Sequence, residues 1–291
     1  MIDFLKRLFG GAAAPPPPPR PRASDKPPLP AELLAEFEAW YLTQHKPAVA
    51  LRPDPAGAIG STGSRLGGPV WLAAGEAWPV DEKGVPLEFI AQLDLADCSA
   101  LAGYPRSGLV QFFIGRDDLY GAEFDDLLAG SYLVRYCAAD AAGALHAPPP
   151  LTEHDGVPCS DYSPFQNDGV RENGLALAAV LVDDPIDLSI KEAELRIDEL
   201  YKHYDIATLY AFAERPEVER PIRHHTGGYP AFTQSDIRND AAYADLDQVL
   251  LRLTSDDSIM WGDVGEAVFM MRSEDLATGD FSKVAFSWDC H

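Results

Sequence analysis

Ser255-Asp-Asp-Ser-Ile-Met-Trp-Gly-Asp263 gathers three carboxylates into nine residues. Asp256, Asp257 and Asp263 are hard oxygen donors of the kind that Ca²⁺ or Mg²⁺ takes. Their spacing is not that of an EF-hand, which wants acids at alternate positions and a glycine at the sixth. The plainer use of the same side chains is to cap turns by accepting backbone N–H groups. A second constellation surrounds two glycine pairs. Arg65 precedes Gly67-Gly68, and Arg223-His224-His225 precedes Gly227-Gly228. Glycines let a ligand approach bare N–H groups, and an adjacent cation would meet its negative charge. Gln92, Gln111, Gln234, Asp236 and Trp261 would complete a polar cleft with Arg65 and His225. Paired glycines also serve simply as tight turns between strands. With a divalent cation in the acidic loop, His225 and Asp263 would do general acid–base work in a hydrolysis. The chain holds no phosphate-loop lysine, no HExxH and no nucleophile elbow. Cys290, beside His291, is penultimate, a position that is often poorly held.

The framework that would position these residues is written twice. Gly265-Glu-Ala-Val-Phe-Met-Met-Arg-Ser-Glu-Asp-Leu276 lies on Gly108-Leu-Val-Gln-Phe-Phe-Ile-Gly-Arg-Asp-Asp-Leu119 without a gap, 157 positions away. Gly265 and Gly108, Phe269 and Phe112, Asp275 and Asp118, and Leu276 and Leu119 coincide. Upstream stand the two glycine pairs, Gly68 being 40 residues before Gly108 and Gly228 37 before Gly265. Between them each copy has a strand-like run, at 87–95 and 248–253, and each ends in a short β-prone run, at 132–136 and 283–288. Turn, strand, acidic loop, strand, Asp-Leu turn, strand is the order of an antiparallel meander. Two such halves, about 48–140 and 222–291, predict one pseudo-symmetric β-rich body with a cleft at the seam. In the run 87–95, Leu87, Phe89, Ala91, Leu93 and Leu95 fall on one face and Glu88, Ile90, Gln92 and Asp94 on the other, which predicts a sheet covered on one side.

Leu33, Leu34, Phe37, Trp40 and Tyr41 form an apolar stripe that predicts a helix over 31–45, ended by Lys46-Pro47. Ser189 with Glu192 reads as a capping box opening a helix towards Tyr204, and Asp205 as the cap of a second one to 214. These helices, at about 31–45 and 190–214, are expected to pack on the sheet's covered face. The fold class is therefore α+β and β-dominated. Residues 1–30 stand apart, as a disordered foot and proline-rich linker with five prolines at 15–19, and 31–291 read as the folded domain. Ile2, Leu5, Leu8 and Phe9 lie opposite Lys6 and Arg7, so residues 1–10 are a weak candidate contact for a membrane surface or partner. The split charges argue against a signal peptide.

With 23 Lys+Arg against 46 Asp+Glu, the net charge is −23, which argues against a nucleic-acid partner and favours a basic partner or a metal ion. Four cysteines without CxxC spacing point to a reducing cytoplasm, and no run of 18 apolar residues spans a membrane.

Ser64-Arg-Leu-Gly-Gly-Pro69, Trp78-Pro79, Phe89-Ile-Ala-Gln-Leu-Asp94, Gly108-Leu-Val-Gln-Phe-Phe-Ile114, Gly227-Gly-Tyr-Pro230 with Gln234 and Asp236, Ser255-Asp-Asp257, Ile259-Met-Trp-Gly-Asp263 and Trp288-Asp-Cys290 resemble, in order, the bacterial YwqG-like family, the domain of unknown function 1963. The resemblance implies a β-dominated α+β fold, with no established activity and no catalytic residues to carry over. The reading that follows is a cytosolic binding or interaction module with a cleft between two β repeats. Its alternative is a metal-dependent hydrolase using the loop 255–263.

Overall fold

A computed structural model describes residues 26–138, 142–150, 153–154, 157–158, 162–213, 215, 218 and 224–291. The candidate foot at 1–10, the five prolines and Arg223 lie outside the described residues. The chain runs α1 (Ala31–Tyr41), β1 (His45–Asp54), β2 (Arg65–Leu66), β3 (Val70–Ala73), β4 (Glu88–Asp94), β5 (Leu109–Ile114), β6 (Leu133–Cys137) and β7 (Gly143–His146). It continues through β8 (Glu153–His154), β9 (Val157–Pro158), α2 (Asp168–Asn173), β10 (Leu175–Pro185), α3 (Lys191–Tyr201) and α4 (Ala207–Ala213). Then come β11 (His225–Gly227), β12 (Gln248–Thr254), β13 (Glu266–Met271), α5 (Ser273–Thr278) and β14 (Ala285–Asp289).

Two compact units result: the described residues of Met1–Gln44 with Glu192–Glu219, and those of His45–Lys191 with Arg220–His291. In the first, the expected stripe of α1 buries Phe37 and Tyr41. Both rings meet Phe212 edge-on, at 6.1 and 5.3 Å, and the Tyr41 hydroxyl donates to the Val218 carbonyl at 3.2 Å. The predicted 190–214 stretch forms two helices, α3 and α4, as expected. Asp205 caps the second piece as expected, its Oδ1 accepting the Ala207 N–H at 3.0 Å. The capping box does not form as read: the Ser189 hydroxyl accepts the Phe232 N–H instead, at 3.1 Å.

The second unit is a ten-stranded antiparallel sheet in the order β14-β13-β12-β11-β1-β10-β2-β4-β5-β6. The fold is thus β-dominated α+β. β1 and β10 lie at its middle, paired from His45↔Pro185 to Asp54↔Ala176. The sheet folds over on itself, so that Phe112 of β5 meets Phe269 of β13 at 4.9 Å, and Phe269 stacks on Phe286 of β14 at 4.5 Å. One core results, with Ile90, Leu93 and Val110 on one side and Leu251, Leu253 and Met271 on the other.

The alternation read in β4 needs correction. A bulge falls between Phe89 and Ala91. The extra residue turns Ile90 into the main core, while Leu87 and Phe89 join Val70, Leu72 and Phe113 in a second cluster on the opposite face. The sheet here is covered on both sides, the outer cover being β3 paired with β7. A matching bulge lies between Val249 and Leu251 of β12.

Candidate functional site

Three of the predicted residues come together on the outer face of β2, β4, β5 and β6. The register places Arg65 opposite Gln92, Gln92 opposite Gln111, and Gln111 opposite Arg135. The Gln111 amide donates to Gln92 Oε1 at 2.9 Å, and Gln92 in turn donates to the Gly63 carbonyl at 3.0 Å. Arg135 donates to Gln111 Oε1 through Nε at 2.9 Å and Nη2 at 2.7 Å, and it pairs with Glu76. Gln111 and Arg135 also donate to the Trp71 carbonyl of β3, both at 3.1 Å. Among the described residues no carboxylate pairs with Arg65. Its Nη1 and Nη2 donate to the carbonyls of Gly60 and Pro69 at 3.1 and 2.7 Å, and burial pulls its pKa down to about 10. Both arginines lie over outward-facing rings, Arg65 over Phe89 and Arg135 over Phe113.

His225 anchors a second ladder across the sheet. It lies opposite Arg252, which lies opposite Val268, which lies opposite Ser287. Arg252 pairs with Glu266, two residues along β13 from Val268, and its Nη1 stands 3.4 Å from His225 Nε2. Arginine has only donors, so Nε2 accepts and Nδ1 carries the proton towards the Gly227 carbonyl at 3.0 Å. Tyr104 ties the same turn down. Its hydroxyl accepts the Gly227 N–H at 3.2 Å and donates to the Val249 carbonyl at 2.8 Å.

The acidic loop is a set of turns. Asp256 Oδ1 accepts the N–H groups of Ser258 and Ile259 at 2.8 and 3.2 Å, and Oδ2 lies 3.1 Å from His224 Nε2. Burial alone would raise the Asp256 carboxyl; the His224 bond and the two N–H groups outweigh it and hold the pKa below its ordinary 3.8. Asp257 and Asp263 are exposed. Among the described residues no three His, Cys, Asp or Glu side chains group as metal ligands.

An open cleft of about 500 Å³ lies elsewhere, walled by Pro79, Val80, Asp81, Glu82 and Leu87 on one side and by Glu123 and residues 129–133 on the other. The loop carrying its second wall reaches the far end of the sheet. The Leu127 carbonyl accepts the Phe286 N–H at 3.0 Å, and the Tyr132 hydroxyl donates to the Val284 carbonyl at 2.7 Å.

The family model described as a domain of unknown function, DUF1963, matches residues 64–290. The chain belongs to that family. No curated protein matches it. The DUF1963 match opens one residue before Arg65 and takes in both ladders, the cleft and the acidic loop. Within the DUF1963 domain the remaining predicted residues are dispersed. Trp261 is fully buried in the core, edge-on to Tyr120 at 5.4 Å. Asp236 is locked to Arg238 at 2.6 Å and accepts the Lys191 N–H at 2.8 Å. Gln234 is exposed and donates to the Cys290 carbonyl at 2.8 Å.

Sequence reasoning missed Arg135, Arg252 and Glu266 as ladder members. The signal was there for the two arginines: each is a single charge inside an otherwise apolar strand run, as Gln92 and Gln111 are single amides. No helix among the described residues is long and apolar enough to cross a membrane.

Proposed function

We propose that this DUF1963 protein is a cytoplasmic binding module, built from two β repeats, that takes a cationic group of its partner into the cleft beside the loop 121–133. The observation that carries this reading is the cleft itself, about 500 Å³ and walled by Asp81, Glu82 and Glu123 with no Lys, Arg or His in its lining. Val80, Leu87 and Tyr132 supply apolar wall against which the stem of a lysine-like chain would lie. Free thiols at Cys98, Cys137 and Cys290 support a reducing compartment.

Three correspondences support the duplication. β5 and β13 are six residues each, with bounds 157 positions apart. β4 and β12 are seven residues each, both bulged at the third. β2 and β11 both run into a glycine pair held at positive φ, 54° and 80° at Gly67 and Gly68, 71° and 69° at Gly227 and Gly228. The loop 121–133 bonds to Phe286 of β14 and to Val284 just before that strand, which supports the reading of a cleft beside the seam of the two halves.

Isothermal titration of the full chain with spermidine, and separately with an oligolysine peptide, is expected to give a saturable heat for at least one. Ala129→Trp, which fills the cleft from an exposed position, should weaken that affinity at least tenfold. Absence of heat with both probes, or equal affinity in the Trp variant, refutes the reading.

A further inference from the structure

We propose that Arg116 and Arg171 form a buried site for one small free anion, such as chloride or phosphate. Glu88 opens β4 and receives both guanidinium groups. Arg116 Nε lies 2.9 Å from Oε2, Arg171 Nε lies 2.7 Å from Oε1, and Arg171 Nη2 donates to Oε2 at 3.2 Å. Glu88, Arg116 and Arg171 are 1 %, 5 % and 4 % exposed. Among the described residues Glu88 is the one carboxylate paired with these two guanidinium groups, which leaves a full positive charge in the interior. Arg171 spends Nη2 on the Pro149 carbonyl as well, at 3.0 Å. Arg116 Nη1 and Nη2 are sealed from solvent and have no hydrogen-bond acceptor among the described residues.

Buried donors without acceptors are costly, and an uncompensated buried charge is costlier. A water molecule could accept one N–H from each of the two nitrogens and would leave the charge in place. An anion removes both costs, and the planar fork of a guanidinium suits it. The neighbouring Asp117 is not the missing counter-ion. It is exposed, and its Oδ1 accepts the N–H groups of Leu119 and Gly121 at 3.0 and 2.8 Å. Nor does the strand pattern demand these charges. Gln248 opens β12 as Glu88 opens β4, and Ser273 follows β13 by two residues as Arg116 follows β5. Because the Arg116 nitrogens are enclosed, the occupant is a free ion and not the head of a larger ligand.

The test uses the full chain exchanged into gluconate and titrated with chloride or with phosphate. A saturable rise in Tm is expected, about 5–10 °C at about 100 times Kd. Arg116→Met keeps the length of the side chain and removes the stranded charge, so it should fold and lose the response. Equilibrium dialysis of the unaltered protein with labelled chloride and phosphate reads the same site without a variant, as one saturable ion per chain. Retention at one site and its loss in the Met variant support the proposal. A rise that never saturates, a rise unchanged in Arg116→Met, or no retained ion overturns it. Where the variant fails to fold, the dialysis result alone decides.

Discussion

The ladder from Arg65 to Arg135 and the ladder from His225 to Ser287 occupy corresponding places on the two flanks of the sheet, yet they bury polarity in different ways. The first is an amide relay. Gln92 and Gln111 are neutral, each gives and takes hydrogen bonds, and the charges stand at the ends on Arg65 and Arg135. The second places its charge in the middle, as the Arg252–Glu266 pair, and has Val268 where the first has Gln111. An amide relay is directional and fails when one member is deleted, since every neighbour then loses a partner. An ion pair fails when one partner is lost and survives when both are replaced by apolar chains. One sheet therefore accommodates either solution, provided that each is complete.

The sharpest way to break this comparison is at the ion pair. Glu266→Leu leaves the Arg252 guanidinium buried without its counter-charge and should destabilise by about 3–5 kcal/mol. Adding Arg252→Met should restore most of that loss, because the pair is replaced by apolar volume. Urea unfolding of the single and double variants measures both numbers. A single-variant loss below about 1 kcal/mol would show that the pair is no more than a surface contact.

The next effect tests the relay. Gln111→Val installs the residue type that the second ladder already has. It removes the acceptor of Arg135 Nε and Nη2 and the donor to Gln92 Oε1, so a loss of about 2–3 kcal/mol is expected. Gln92→Leu added to it should cost less than either change alone would imply, because the relay is already cut. Additive losses would mean that the two amides act independently and that no relay exists.

The sheet's strands and turns were largely legible because they leave local marks. The runs at 87–95 and 248–253, the glycine pairs and the helix stripe at Phe37 and Tyr41 need only nearest-neighbour information. The bulges at Ile90 and Leu250 were not, since two apolar residues in a row do not say which one is extra. That single insertion decides which face Phe89 takes, and hence that the sheet is covered twice. The candidate site was legible as a set of residue types more than as a place. Arg65, Gln92 and Gln111 meet because strand register brings them together, while Trp261 looked like a cleft aromatic and fills the core. The charges around Glu88 were invisible for a different reason. Arg171 lies 83 residues from its partner, and no local pattern relates them.

The smallest predicted effect separates the ladders by pH. Burial pushes the Glu266 carboxyl above its ordinary 4.5, against the pull of Arg252, and Asp187 and Asp289 push the same way. Stability changes with pH as the protons bound by the unfolded chain minus those bound by the folded one. From pH 4.5 upward the folded protein holds the Glu266 proton that the unfolded chain has released, so this group makes stability fall as pH rises, until its folded pKa is passed. Below that window both states are protonated and the slope vanishes. The amide relay has nothing to titrate there. Arg65 keeps its proton until near pH 10, and only beyond that does its lowered pKa make stability rise with pH. Glu266→Gln should therefore flatten the stability profile just above pH 4.5, whereas Gln92→Leu should shift the whole acid and neutral profile down by a constant. Urea midpoints taken in half-unit steps of pH distinguish a change of slope from a change of level. Parallel profiles for the two variants would mean that Glu266 titrates as an ordinary surface carboxylate, and that the charge in the second ladder is not buried in any energetic sense.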